Sequence, residues 1–539
     1  MKTRQYAAAL ITLVLIGQTS ARAQKLDTIG VTVLRAVTTN LNGAKVRVAQ
    51  VEAGYGAVDN WEVNPGSVGQ PTNLFTYTSS SGSATGFPNA VGAESGHANG
   101  VAGYFYGMSS GVATNVALVD NYEASYFAQQ SGFLGTYSVK LPASNINDPV
   151  VNQSFIFCNA DYSHYPVGWE QTIDSQYDNY AAQYNTLFVS GAGNGGPTNQ
   201  SRIYPAATCY NGLGVAAFGG SSCTGPTLDN GRAKPYITAP GSETSWSTPL
   251  VAGAAAVLMQ AGLRGDGGGA TNSAADIRTV KALLLNGAVK PADWTNNPPS
   301  PLDPRYGAGV LNVFNSYEQL AGGEHDFIDS TTVSTGGAHP PAGATATVGV
   351  LSGWDFDTNT SGSIPRPFDA INHYYFNVTN ADSNATFTAT ATLVWERHQN
   401  QTGINNLALF LYNAANSNLV AASTSVVDNV QQIFVPRLRQ GRYDLQVWKA
   451  GGIGIVSAAE PYALAWAFTS ARLDASKSGS HLNLSWPVYP DGFHLEKTAK
   501  LATPSWKTNS IPAPVFTNGQ NVVVLGATNA AQFFRLRAP

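Results

Sequence analysis

Between residue 45 and about residue 320 the chain alternates short apolar runs with helix-length stretches, and this alternation constrains the fold more than any other feature. Residues 46–51, 116–119, 154–157 and 186–189 are short runs of strand-forming residues. Residues 96–105 are rich in small residues and predict a closely packed helix. Residues 248–263 predict another, with Pro249 tolerated in its first turn. A third is expected over 273–286: Ser273 with Asp276 resembles a capping box, Ile277, Val280 and Leu284 share a face, and Gly287 stops it. Apolar strands separated by helices predict an α/β fold, a parallel sheet with helices on both faces.

The period changes after about Gly322. Phe387, Ala389, Ala391, Leu393 and Trp395 alternate with threonines, the period of a strand with one buried face. Runs at 407–412, 443–448 and 462–468 repeat the signal between turn-rich loops, so an antiparallel β-sandwich is expected. Runs at 482–486, 522–525 and 533–536 predict a small terminal β module. The expected organisation is therefore 45–322 for the α/β domain, 323–470 for the sandwich and 471–539 for the module. The 539 residues suit several domains at about 150 residues each.

The N-terminus carries an address. Lys2 and Arg4 precede an apolar run over 7–17, too short for the roughly 20 residues that span a bilayer. Ala21-Arg22-Ala23 supplies small residues at a cleavage site. Residues 1–23 are thus expected to be a signal peptide, 24–44 a short N-terminal segment, and the mature chain secreted, extracellular or periplasmic, with no transmembrane segment. With 29 Lys+Arg against 33 Asp+Glu, the net charge of −4 argues against a nucleic-acid partner. An oxidising compartment permits a Cys209–Cys223 disulfide with Cys158 free; inert buried thiols are the alternative.

The chemistry concentrates in four segments. Ser245 precedes an apolar helix, where free N–H groups favour developing negative charge. A serine hydroxyl needs a base. Only His97 and His164 lie in the first domain, and His97 opens the small-residue helix. Glu52 ends a buried strand, at the sheet edge where α/β folds place ligands. Asn194 follows another strand and carries an amide able to meet an oxyanion. Two other motifs fail in context: 191–196 satisfies G-x-G-x-x-G without a following helix, and 107–111 satisfies G-x-S-x-G between a helix and a strand, the reverse of a nucleophile elbow.

In the order acid, His, Asn, Ser, these segments resemble the subtilisin-like serine peptidases, the subtilases. Thr244, Ser245 and Pro249 match the family's Gly-Thr-Ser-Met-Ala-x-Pro; His97, Val101, Ala102 and Gly103 match His-Gly-Thr-His-Val-Ala-Gly; Asn194 falls on the Gly-Asn turn. The resemblance implies a secreted serine endopeptidase of proteins or peptides, with Ser245 as nucleophile, His97 as base, Glu52 as its partner and Asn194 as oxyanion donor. Three positions depart from the pattern: Glu52 for Asp, Glu243 for Gly, and Gly100 for the second histidine. They motivate the alternative of a catalytically impaired scaffold serving as a surface-binding or adhesive module. Asp59 is the reserve acid, and His164 is expected as a loop residue beside the cleft. Only about 20 residues separate the signal from the first strand, so a family-type propeptide is not expected. No cofactor is required for the chemistry; the resemblance implies structural calcium, but the acidic residues show no ligand spacing. The β domains are candidate carbohydrate- or surface-binding units, although Trp395, Trp448 and Trp466 read first as core.

Overall fold

The computed structural model describes residues 24–54, 60–130, 145–195, 202–334, 345–364, 367–380, 383, 385–502, 504–509, 511–517, 520–526 and 531–537. The proposed signal at 1–23 and Asp59 lie outside them.

Eight strands form the first sheet: β1 (Arg47–Glu52), β2 (Phe75–Ser79), β3 (Gly82–Ala84), β4 (Leu118–Glu123), β5 (Val150–Gln153), β6 (Leu187–Gly191), β7 (Leu213–Phe218) and β8 (Ile237–Pro240). Their order is β8-β7-β6-β5-β1-β4-β2-β3, and every pair is parallel except β2–β3. The α/β architecture expected from the alternating pattern is therefore present. Helices α1 (Val31–Val37), α2 (Gly96–Phe105), α3 (Val167–Tyr184), α4 (Thr244–Arg264), α5 (Thr271–Ala274), α6 (Ile277–Asn286) and α7 (Val313–Ala321) accompany it. The segment after residue 24 is structural: Ile29, Val31, Leu34 and Leu41 are buried in the same core as the sheet.

Several boundaries differ from the sequence reading. The strand expected at 154–157 ends at Gln153, so Ser154 begins the loop beyond the sheet edge. The helix expected over 273–286 is two: Asp276, not Ser273, caps α6 by accepting from Arg278 N. Helix α4 starts at Thr244, which places Pro249 inside it rather than in its first turn. Proline has no N–H to give the Ser245 carbonyl four residues back; the Ser154 hydroxyl donates to that carbonyl instead, at 3.2 Å. Among the described residues α4 is the one helix long and apolar enough to cross a membrane, and 89% of that stretch is buried in the core.

Two antiparallel sheets follow. Strands β9 (Asp329–Val333), β11 (Asp369–Val378), β16 (Gly441–Lys449), β13 (Leu407–Asn413) and β14 (Asn418–Ser423) form one, in that order. Strands β10 (Ser352–Thr360), β17 (Ala459–Thr469), β12 (Phe387–Trp395) and β15 (Val430–Leu438) form the other. Their inner faces share a core containing Trp395 and Trp466, while Trp448 is half-buried. The sandwich is fastened to the first domain by polar contacts: Arg397 pairs with Asp178 at 2.7 Å, and Tyr236 donates to Asn429 Oδ1 at 2.7 Å. Beyond Asp474, short antiparallel strands pack around Leu484, Trp486, Leu495 and Val523. All three cysteines are free, so the Cys209–Cys223 pairing is not made. Cys209 sits in the main core, and Cys223 packs with Ala192 and Tyr204.

Candidate active site

Strand β1 lies between β5 and β4, so chain connections diverge at its C-terminal edge and leave a crevice there. Into that crevice β1 delivers Glu52, the β5 loop Ser154, the β6 loop Asn194, α2 His97 and α4 Ser245. These five side chains line one cavity of about 690 Å³.

Glu52 is 2% exposed, and both its oxygens are engaged. Oε2 meets His97 Nδ1 at 2.8 Å, and Oε1 accepts from Gln50 Nε2 at 2.8 Å. Gln50 is fully buried, since β1 is covered on both faces, and its amide has no freedom to turn. Nε2 also donates to the Ala98 carbonyl at 3.0 Å, and Oε1 accepts from the Tyr106 hydroxyl at 2.6 Å. The acid is thus clamped between an imidazole and a carboxamide that is itself held by α2. Sequence reasoning missed Gln50 and Tyr106. The signal was a polar residue in an apolar strand, two positions before Glu52 and so on the same face.

His97 occupies the first turn of α2, whose N-cap Ser95 accepts from Ala98 N at 3.2 Å. Burial of the ring lowers its pKa, but the hydrogen bond to Glu52 and the charges of Glu52 and Glu243 outweigh it, and the net shift is upward. With Nδ1 on Glu52, Nε2 remains for proton transfer.

Ser245 is 9% exposed, and its Oγ donates to the Ser154 carbonyl at 3.3 Å, its hydrogen bond among the described residues. The hydroxyl is thus turned to the loop rather than to the imidazole. Trp246, the next residue, lies 5.3 Å from the His97 ring between centroids. Its indole fills the space over Gly100: a Cβ there would come within 2.6 Å of Trp246 Cζ3. A glycine at position 100 therefore leaves the room that the Trp246 indole occupies.

Asn194 is exposed in the cavity. Its Oδ1 accepts from Thr244 N at 2.9 Å and Thr244 Oγ1 at 2.7 Å. A backbone N–H can only donate, so the amide's orientation is fixed with Nδ2 away from α4 and available. Gly193 has φ +100, and a Cβ there would lie 2.8 Å from the Tyr204 ring, so the turn needs glycine. Both His164 ring nitrogens are engaged, with Glu170 at 2.8 Å and the Arg202 carbonyl at 3.0 Å, and the ring stacks on Tyr204, which lines the cavity.

Residues 73–309 match the model of the subtilase family. That stretch holds His97, Asn194 and Ser245; Glu52 and β1 precede it. No curated protein sequence matches the chain. Among solved structures, the serine protease of Aeromonas sobria in complex with its chaperone is 13% identical, covering 80% of this chain and 89% of that one at a TM-score of 0.36. The PatG macrocyclase in complex with peptide is 15% identical, over 55% and 98%, at 0.35. Tripeptidyl peptidase 2 is 13% identical, over 76% and 43%, at 0.30.

Proposed function

We propose that this chain, which carries a subtilase-family domain across residues 73–309, is a serine endopeptidase acting on proteins or peptides through a Ser245–His97–Glu52 relay. The observation that carries the reading is the convergence of Glu52, His97, Asn194 and Ser245 on one cavity, with His97 Nδ1 held 2.8 Å from the acid.

In this mechanism a rotation about χ1 turns the Ser245 hydroxyl from the Ser154 carbonyl to His97 Nε2. The imidazole takes its proton as Oγ attacks the substrate carbonyl, and Glu52 supports the imidazolium. Asn194 Nδ2 and the Ser245 backbone N–H receive the oxyanion; one such donor lowers the barrier by about 3–4 kcal/mol. His97 then protonates the leaving amine, and water hydrolyses the acyl-enzyme by the same steps in reverse. Glu in place of Asp adds a methylene, which Gln50 accommodates by fixing the far oxygen. The division into peptidase domain, sandwich and terminal module, and secretion directed by residues 1–23, belong to the same proposal.

The test is labelling with a fluorophosphonate. Wild type is expected to label at Ser245, and Ser245→Ala is expected to lose the label; a label that persists on the variant refutes the nucleophile. The turn of the Ser245 hydroxyl to Ser154 favours one other reading, a scaffold that binds peptide without cleaving it. Casein hydrolysis by wild type, absent in Ser245→Ala, excludes that reading; its absence in both favours it.

A further inference from the structure

Four carboxylates gather where the chain leaves the peptidase fold, outside the family-matched stretch and away from the catalytic cavity. Glu324 and Asp326 follow α7, while Asp355 and Asp357 stand on one face of β10. One oxygen from each of Asp326, Asp355 and Asp357 lies within 4.8 Å of the other two. The charges bearing on Glu324, Asp355 and Asp357 are all acidic and come from within this group.

Asp355 supplies the second, independent observation. It is 1% exposed. Its Oδ2 accepts from the Tyr374 hydroxyl at 2.5 Å, while Oδ1 is buried with no hydrogen-bond partner. A buried carboxylate oxygen without a donor costs folding free energy, and neighbouring carboxylates raise that cost. A cation at the point where the oxygens converge removes both penalties at once.

We propose that Asp326, Asp355 and Asp357 bind a hard divalent cation, calcium by chemistry, with Glu324 at the rim. The donors are all oxygen, which disfavours zinc and copper. Calcium takes oxygens at about 2.3–2.6 Å, so two ligands on opposite sides lie up to about 5 Å apart, a span that accommodates the trio. His325 is not a ligand by its Nε2, which is spent on the Gly322 carbonyl at 3.0 Å.

The position gives the ion a task. Between the acids, Trp354 receives a hydrogen bond on its carbonyl from His325 N at 2.9 Å, and donates its indole N–H to the Leu320 carbonyl at 3.1 Å. It is buried in the core of the first domain, although it belongs to the sandwich. An ion bridging Asp326 to β10 therefore locks the connecting segment onto the strand that docks the sandwich.

The experiment is terbium luminescence on the full chain, excited through its aromatic residues, because Tyr374 bonds directly to Asp355. Saturable emission is expected, displaced by calcium, and reduced at least about tenfold in Asp326→Asn and Asp357→Asn. Asp326 is exposed, so its variant is expected to fold and to melt without metal no lower than wild type. Calcium at about 100-fold over its Kd should raise the wild-type melting midpoint by at least about 2–3 °C and leave the two variants unmoved. Absent emission, or emission and calcium shifts equal in all three proteins, overturns the site and leaves the cluster to shared protons.

Discussion

Replacing Gln50 with leucine tests the clamp on the acid more directly than replacing the acid itself. The leucine fits a buried strand but removes the amide that donates to Glu52 Oε1 and Ala98 O and accepts from Tyr106. A hydrogen bond to a charged group is worth about 1.5–3 kcal/mol, and each buried group left unpaired costs about 1–3 kcal/mol. With Glu52 and Tyr106 both deprived, the expected destabilisation is about 3–6 kcal/mol. Catalysis should fall less, because Glu52 keeps its contact with His97. A loss of about 10–100-fold in kcat corresponds to about 1.4–2.7 kcal/mol of barrier, well short of the roughly 10⁴ that follows loss of a triad acid's function. Urea unfolding and peptide hydrolysis measure the two effects. Tyr106→Phe, which leaves the Gln50–Glu52 bond in place, should lose stability with a smaller change in kcat. In a Glu52→Gln background the catalytic effect of Gln50→Leu should nearly vanish, because the two residues act through one contact. A folded Gln50→Leu enzyme with wild-type kcat/KM, or an equal loss in both backgrounds, refutes the clamp.

The charge of Glu243 raises the His97 pKa, and the base works only when neutral. Glu243→Gln should therefore move the acidic limb of the kcat/KM profile to lower pH; a shift to higher pH contradicts this electrostatic account. The same upward shift means that His97 contributes stability fully below its unfolded pKa of about 6.5, a contribution lost as pH rises through the folded value. Gly100→Ala forces a Cβ against Trp246 and should lower both melting midpoint and activity, and adding Trp246→Met should recover much of each. No recovery in the double variant means that the pair is not compensating. Burial first raises the pKa of all three thiols, Cys209 to about 12 and Cys223 to about 11. A thiol reagent should react slowly with native protein and count three thiols after denaturation without reductant; a count of one means that a disulfide forms.

The order of local patterns was enough to predict the parallel sheet, the sandwich and the segments carrying Glu52, His97, Asn194 and Ser245, because strand and helix periods and Gly-rich turns are written in neighbouring residues. What lies between those segments was not legible. Pro249 looks like a first-turn proline until α4 begins at Thr244, and only then does the Ser154 hydroxyl emerge as the donor to Ser245 O. Gly100 reads along the chain only as a departure from the family pattern, and it is the contact between α2 and α4 that shows it leaving room for the Trp246 indole. Asp326 and the Asp355–Asp357 pair show no ligand spacing along the chain, yet the return of β10 beside the α7 exit brings them together. Backbone conformation is set largely by near neighbours. Hydrogen-bond partners, shared charge and filled space are set by which distant segments pack against each other, and that choice is made by the folded core as a whole.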